Sequence, residues 1–432
     1  MAQLPSPVIF LPGIMGSALR DEYCVDPETV WSPIRLLVKA YERITLHPSD
    51  VRFELVEPAR VVADKVFELI YGEIIAELRH NLSPQADKPV PVYPFAYDWR
   101  QPLDLVEAEL AAFVDEAIDR TRLLRHYDKA GYGTADFPAK VSLVAHSMGG
   151  LIVAGYLEKN GEGKVAKVAT IATPFRGSFE AVSKTTTGVG ALGNSPSSSR
   201  EREAARVTPA LYHLLPSFKG AITPASEDIF LPETWQEGII QTLASFVRMY
   251  GLKPGAPREQ AIALLKAMLD GAWKHQSRIE KLTLSDSKIW LSIVGLDATT
   301  RVSMEIKRAG GKPWFELADP RNDWNKGIAA NDILTGDNTV PYLGARIKFI
   351  PTEQVVCVTP GDFGFWEFKD KLLEKGGFHS SLPNMNLVQR LVVSHLKGEK
   401  YGEIWGRRPP DLDGGVPWDP PIAGLEAKEP GQ

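Results

Sequence analysis

The sequence predicts an α/β protein: a mostly parallel central sheet with helices on both faces and an inserted, mainly helical cap. Three observations carry that expectation. Short apolar runs alternate with longer segments of helical period through the first part of the chain, up to residue 178. The alternation lapses over 179–286 and then resumes. Between the two lies VSLVAHSMGG (141–150), where an apolar run turns sharply into a helical pattern with one serine at the bend. Strands separated by helical segments imply parallel pairing through helical crossovers.

Taken in order, PVIFLPG (7–13) is an apolar run stopped by Pro-Gly, the pattern of a first core strand. Residues 63–80 place Val66, Leu69, Ile70, Ile74, Ile75 and Leu78 at helical spacing, and PVYPFAYDW (91–99) is a second strand. LVEAELAAFVDEAIDRTR is a strongly periodic helix. The 141–145 strand follows, then a helix from LIVAGYLEK, and then the strand of KVAKVATIATPFRGS (164–178). SKTTTGVGALGNSPSSSR (183–200) has no hydrophobic period and is expected to be a loop or flap. PALYHLLPS and AIALLKAMLDGAWKHQ read as helices of the cap. KIWLSIVG (288–295) resumes the strand pattern, RIKFIPTEQVVCVTPG adds one or two strands, and NLVQRLVVSHLKG closes with a helix. The division expected is a core over 1–178 (with a small lid segment at 20–50), a cap over 179–286 and a second core part over 287–407. The Pro/Gly-rich tail, 408–432, is expected to be extended or disordered.

Composition narrows the function. The chain has 432 residues, 44% apolar and 24% charged, which suits an ordinary folded enzyme with a large core. A net charge of −5 over that length argues against nucleic acid as the partner. The only cysteines, Cys24 and Cys357, form neither a disulfide framework nor a metal-ligand spacing. The N-terminus lacks the basic and apolar regions of a secretory signal, and no apolar run is long enough to span a membrane. The expectation is a cytoplasmic protein without metal or organic cofactor.

In AHSMGG, small residues lie two before and two after Ser147, where a sharp strand-to-helix turn crowds its neighbours. That is the spacing of a nucleophile elbow, with Ala145 in place of the usual first glycine. A serine hydroxyl is a weak nucleophile until an imidazole accepts its proton and a carboxylate orients that imidazole. Of the histidines well beyond the serine, His213 and His275 fall on cap helix patterns with one face in the core and one in solvent. His395 reads as a partly exposed residue of the last helix, whereas His379 hangs in the loop GGFHSSLP between the last strand and that helix. His379 is therefore the expected base, with His395 next. For the acid, Asp337 in TGDNTVPY leads, with Asp332 and Asp362 open; its alternative is an Asx-turn in which the carboxylate caps its own backbone. An oxyanion hole needs backbone N–H groups. Met148, after the serine, supplies one, and Ile14 or Met15 in LPGIMGSAL supplies the other.

FLPGIMGSAL, YPFAYDWR, AHSMGG, ATPFRGS, GDNTVP and GFHSS occur in an order that resembles the lecithin:cholesterol acyltransferase and phospholipid:diacylglycerol acyltransferase family across most of residues 8–395. The resemblance implies an α/β-hydrolase fold with a mobile lid, Ser147, Asp337 and His379 as catalytic triad, and Met15 and Met148 as oxyanion donors. It places DEYCVDPETVWSP where family members carry a lid and membrane-binding segment, so Trp31 and Ile14 are candidate substrate contacts and the lid is a candidate peripheral membrane contact. Trp31 reads equally as a packed aromatic. Asp98 and Arg100 read as a structural ion pair. The functional expectation is a serine acyl-ester hydrolase or O-acyltransferase on lipid or other hydrophobic esters, with water or an alcohol as acceptor. A non-catalytic lipid-binding or scaffold protein on the same fold is the alternative.

Overall fold

A computed structural model describes residues 4–22, 25–32, 44–46, 61–188, 198–251, 254–322, 324, 333–364 and 377–429. Cys24, Asp332 and most of the 20–50 lid segment lie outside them.

The strands in chain order are β1 (Val8–Leu11), β2 (Ser17–Asp21), β3 (Glu28–Trp31), β4 (Val61–Val66), β5 (Val92–Pro94), β6 (Val141–His146), β7 (Val165–Ile171), β8 (Ile222–Thr223), β9 (Trp290–Gly295), β10 (Met304–Ala309), β11 (Lys312–Leu317), β12 (Val355–Val358), β13 (Trp405–Gly406) and β14 (Glu426–Ala427). The principal helices are α1 (Glu68–Leu82), α2 (Leu103–Arg122), α3 (Met148–Asn160), α4 (Phe179–Thr187), α5 (Ser198–Arg206), α6 (Glu237–Tyr250), α7 (Pro257–Ile279) and α8 (Asn386–Lys397).

Six of the strands make one sheet in the order β5-β1-β6-β7-β9-β12, parallel at every pairing. A parallel sheet is covered on both faces, which is why its strands read as unbroken apolar runs. In β1, Val8 and Phe10 pack into the core beneath α1 and α8, while Ile9 and Leu11 pack into the core beneath α2 and α3. α2 turns Leu103, Val106, Leu110, Val114 and Ala117 inward, the stripe that helical spacing requires.

In the span expected to form the cap, α4 to α7 and β8 lie between β7 and β9, and a later piece of chain joins them. The β10–β11 hairpin returns to it, with β10 pairing β8 in a three-stranded sheet. This hairpin is absent from the sequence expectation, although its signal is present. Ala309 pairs Lys312 across Gly310 and Gly311, whose φ values of 57° and 79° make the two-residue turn that favours Gly-Gly. The small antiparallel sheet β3-β2-β4 is likewise unanticipated. Part of the expected 183–200 flap is helical: α4 runs to Thr187 and α5 starts at Ser198, with 189–197 outside the described residues. The C-terminal tail departs from a disordered reading too. Trp418 donates to the Val355 carbonyl at 2.9 Å, and β14 pairs β13.

α7 meets the core through a buried ionic cluster. Glu107 of α2 is fully buried and faces Lys159 of α3 at 2.7 Å, His275 at 2.8 Å and Arg278 at 2.7 Å. A Cβ on Gly155 would fall 1.8 Å from the Glu107 carboxylate, so α3 carries glycine there. His213 and His275, expected to straddle core and solvent, are each only 3% exposed, with rings 5.1 Å apart.

Candidate active site

Ser147 stands between β6 and α3 with φ 52° and ψ −125°, a left-handed conformation that costs a non-glycine residue free energy. The surrounding packing imposes it. A Cβ on Gly149 would meet the Pro12 carbonyl at 2.7 Å, and one on Gly150 would meet the Thr173 hydroxyl at 2.0 Å. The loops after β1 and β7 thus close onto the turn, and only glycine fits beneath them. Ala145, within β6, is fully buried without displacing the turn.

His379 lies in a short helical turn, Phe378–Ser381, after β12. Its Nε2 is 2.9 Å from Ser147 Oγ and its Nδ1 is 2.7 Å from Asp337 Oδ2. A carboxylate only accepts, so the Nδ1 proton goes to Asp337 and Nε2 is left to accept from the serine. Asp337 also satisfies its Asx-turn reading: Oδ1 accepts from the Thr339 and Val340 amides at 3.0 and 2.6 Å. The turn and the contact with His379 use different oxygens of one group.

The other candidates are committed elsewhere. Asp362 pairs with Arg407 in a buried salt bridge and accepts from the Thr359 amide at 2.8 Å. His395 is buried rather than partly exposed, its ring nitrogens 3.0 Å and 3.1 Å from the Pro421 and Ile289 carbonyls, and burial lowers its pKa to about 4. Asp98 and Arg100 form a buried ion pair at 2.7 Å.

One contributor is missing from the sequence reading. His146, beside the serine, reaches the His379 carbonyl through Nε2 at 3.1 Å and the Tyr71 hydroxyl through Nδ1 at 2.9 Å. The Tyr71 oxygen accepts from the Gly13 amide at 3.0 Å. Because the His379 carbonyl can only accept, His146 must donate from Nε2 and accept from Tyr71 at Nδ1. Burial holds the His146 pKa well below its ordinary value, in keeping with that neutral ring. A single hydrogen-bonded chain therefore ties together the loop after β1, the serine turn and the His379 backbone.

Met15 has φ 63°, and Met148 is the first residue of α3, where amides lack intrahelical partners. Among the described residues, neither amide has a hydrogen-bond partner. Ser147 and His379 open into a largely apolar cleft of about 140 Å³, lined by Ile14, Trp31, Phe67, Ile70, Leu211 and Leu214 among others. Trp31 both lines the cleft and packs structurally: its Nε1 donates to the Met15 carbonyl at 3.1 Å and its ring lies edge-on to Trp99. Glu180 and Lys184 of α4 add polar groups to the wall, positions that no local motif marks. Among the described residues no His, Cys, Asp and Glu cluster could hold a metal, and no helix is long and apolar enough to cross a membrane.

The lecithin:cholesterol acyltransferase family model matches residues 87–291, a little under half of the chain. The resemblance to that family stands. The match contains the Ser147 turn and most of the cap, and it supports a lipid-ester hydrolase or acyltransferase. Among solved structures, a chain of the Tle4–Tli4 complex matches with a TM-score of 0.56 and 18% identity, covering 79% of this chain and 89% of that one. That likeness shows the α/β-hydrolase fold. The mature-form lipase BlEst2 of Bacillus licheniformis matches with a TM-score of 0.30 and 14% identity, over 80% of this chain and 81% of that one. No curated protein matches the chain.

Proposed function

We propose that the protein is a serine-dependent acyl-ester hydrolase or O-acyltransferase for lipid or other hydrophobic esters, with Ser147, His379 and Asp337 as its catalytic triad. The observation that carries this reading is the continuous contact from Ser147 Oγ through His379 to Asp337, at 2.9 and 2.7 Å, opening into an apolar cleft. His379 Nε2 takes the hydroxyl proton as Ser147 Oγ attacks the ester carbonyl. Asp337 steadies the imidazolium that forms. The Met15 and Met148 amides hold the oxyanion, aided by the positive end of the α3 dipole. Collapse of the tetrahedral intermediate releases the alcohol, which takes its proton from His379, and leaves an acyl-enzyme. Water or a second alcohol, deprotonated by His379, then frees the acyl group. Ile14 and Trp31 would contact the substrate.

The proposed division keeps a core over 1–178 and 287–407, a cap over 179–286 and a tail over 408–432, with the β10–β11 hairpin added to the cap. Burying an acyl chain contributes about 0.8 kcal/mol per methylene, so an apolar cleft favours long chains. The test is a screen of esters from acetate to long acyl chains, with and without an added alcohol. The expected result is turnover that rises with chain length; products formed only with the alcohol assign transfer. A folded protein that binds lipid but turns over no ester would instead establish a non-catalytic lipid binder.

A further inference from the structure

A second cavity, of about 600 Å³, lies between α5 and α6 and shares no residue with the Ser147 cleft. Its floor is basic. Arg206 is 7% exposed, yet among the described residues its guanidinium has only neutral acceptors: the Thr185, Thr186 and Gly238 carbonyls and the Thr242 hydroxyl. Arg202, one helical turn earlier, has a buried Nε without any hydrogen-bond partner. Burial and the neighbouring Arg202 push the Arg206 pKa down to about 10. Among the described residues no carboxylate forms an ion pair with either arginine. Glu201 is taken by Lys184 at 2.7 Å, and Glu203 is an exposed wall residue that adds only a distant attraction to Arg206.

A buried guanidinium is ordinarily neutralised by a carboxylate or a bound anion, because an uncompensated charge loses its hydration without return. Here two arginines share one cavity, and Gln241 and Ser245 of α6 supply further hydrogen-bonding groups in its wall. A planar guanidinium matches the oxygens of phosphate. The last turn of α6 then changes character: Phe246, Met249 and Tyr250 line the same cavity, with Met249 65% and Tyr250 55% exposed. An apolar edge beside a basic floor fits an amphiphile better than a free ion, since such side chains gain by leaving water for the headgroup–acyl boundary.

We propose that the cavity between α5 and α6 binds the phosphate of an anionic phospholipid, with Arg202 and Arg206 on the phosphate and Met249 and Tyr250 at the lipid surface. The site docks the cap on a membrane and is independent of the chemistry at Ser147.

The test is co-sedimentation of the full-length protein with phosphatidylcholine vesicles, pure or mixed with phosphatidylglycerol. The wild type should favour the mixed vesicles, and salt should weaken that preference. Arg202→Gln and Arg206→Gln should each weaken binding to mixed vesicles by about fivefold. Met249→Ser/Tyr250→Ser should weaken binding as well. Among the described residues Arg202 Nε has no hydrogen-bond partner, so R202Q keeps the proposal testable if R206Q fails to fold. Turnover of a soluble short-chain ester should be unchanged in R202Q, which separates this site from the Ser147 reading. Equal binding to both vesicle types, or wild-type binding by R202Q, would overturn the proposal. Thermal protection by inorganic phosphate without any vesicle preference would show a free-phosphate site and would also overturn it.

Discussion

Asp337 has two carboxylate oxygens, and they do different work: one closes its own turn and the other faces His379. Asp337→Asn should therefore keep the fold but present a donor where His379 needs an acceptor, lowering turnover by roughly a thousandfold or more. Steady-state rates of Asp337→Asn and Asp362→Asn check this, because a larger rate loss in the latter would reassign the acid. Tyr71 offers a second test. Its hydroxyl joins the Gly13 amide to His146, so Tyr71→Phe leaves a buried donor and a buried acceptor unpaired, at about 1–3 kcal/mol each. Denaturant midpoints measure that loss, and an unchanged midpoint would remove the chain from the account. Ser147, His379 and Asp337 were legible because each sits in a short motif with its own turn signal. The part played by His146 was not, since Tyr71 lies 75 residues before it and the His379 carbonyl 233 after. Spacing along the chain carries no trace of such contacts.

At the scale of elements, the six strands of the main sheet were legible because a strand covered on both faces is an apolar run with sharp ends. β10 and β11 went unread although MEIKRA alternates apolar and charged residues, the period of a half-buried strand, and the Gly310-Gly311 pair marks the turn between them. The β3-β2-β4 sheet brings β4 onto β2 from far along the chain, with an irregular register along β2, which no local pattern reports. The joint between α7 and the core was also invisible in sequence, because Glu107 sits in an ordinary charged helix until folding brings Lys159, His275 and Arg278 around it. Glu107→Gln should remove the carboxylate from Lys159 and one of the two carboxylate partners of Arg278, and destabilise the protein by about 1–3 kcal/mol. A chemical denaturation series measures this, and a loss within error would mean that the cluster is solvated in solution.

For the molecule as a whole, the buried histidines set a direction with pH. His146, His213 and His395 have pKa values lowered first of all by burial, the last to about 4. As pH falls below the ordinary histidine value near 6.5, the unfolded chain takes up protons that the folded state refuses. Stability is thus lost toward acid, each histidine adding about 1.4 kcal/mol per pH unit until its folded pKa is reached. Glu109, raised to about 7 by desolvation and Asp98, binds its proton earlier when folded and offsets at most one of the three. Denaturant midpoints should therefore drop between pH 7 and pH 5, and a flat profile would contradict the buried, neutral placement of these rings. The proposed function requires that the fold bring Ser147, His379 and Asp337 together to make the serine a nucleophile. A fluorophosphonate probe on the purified protein, with peptide mass mapping of the label, tests it most directly. One label is expected, on Ser147, abolished in Ser147→Ala and strongly slowed in Asp337→Asn. A folded wild-type protein that takes no label, or takes it on another serine, would contradict it.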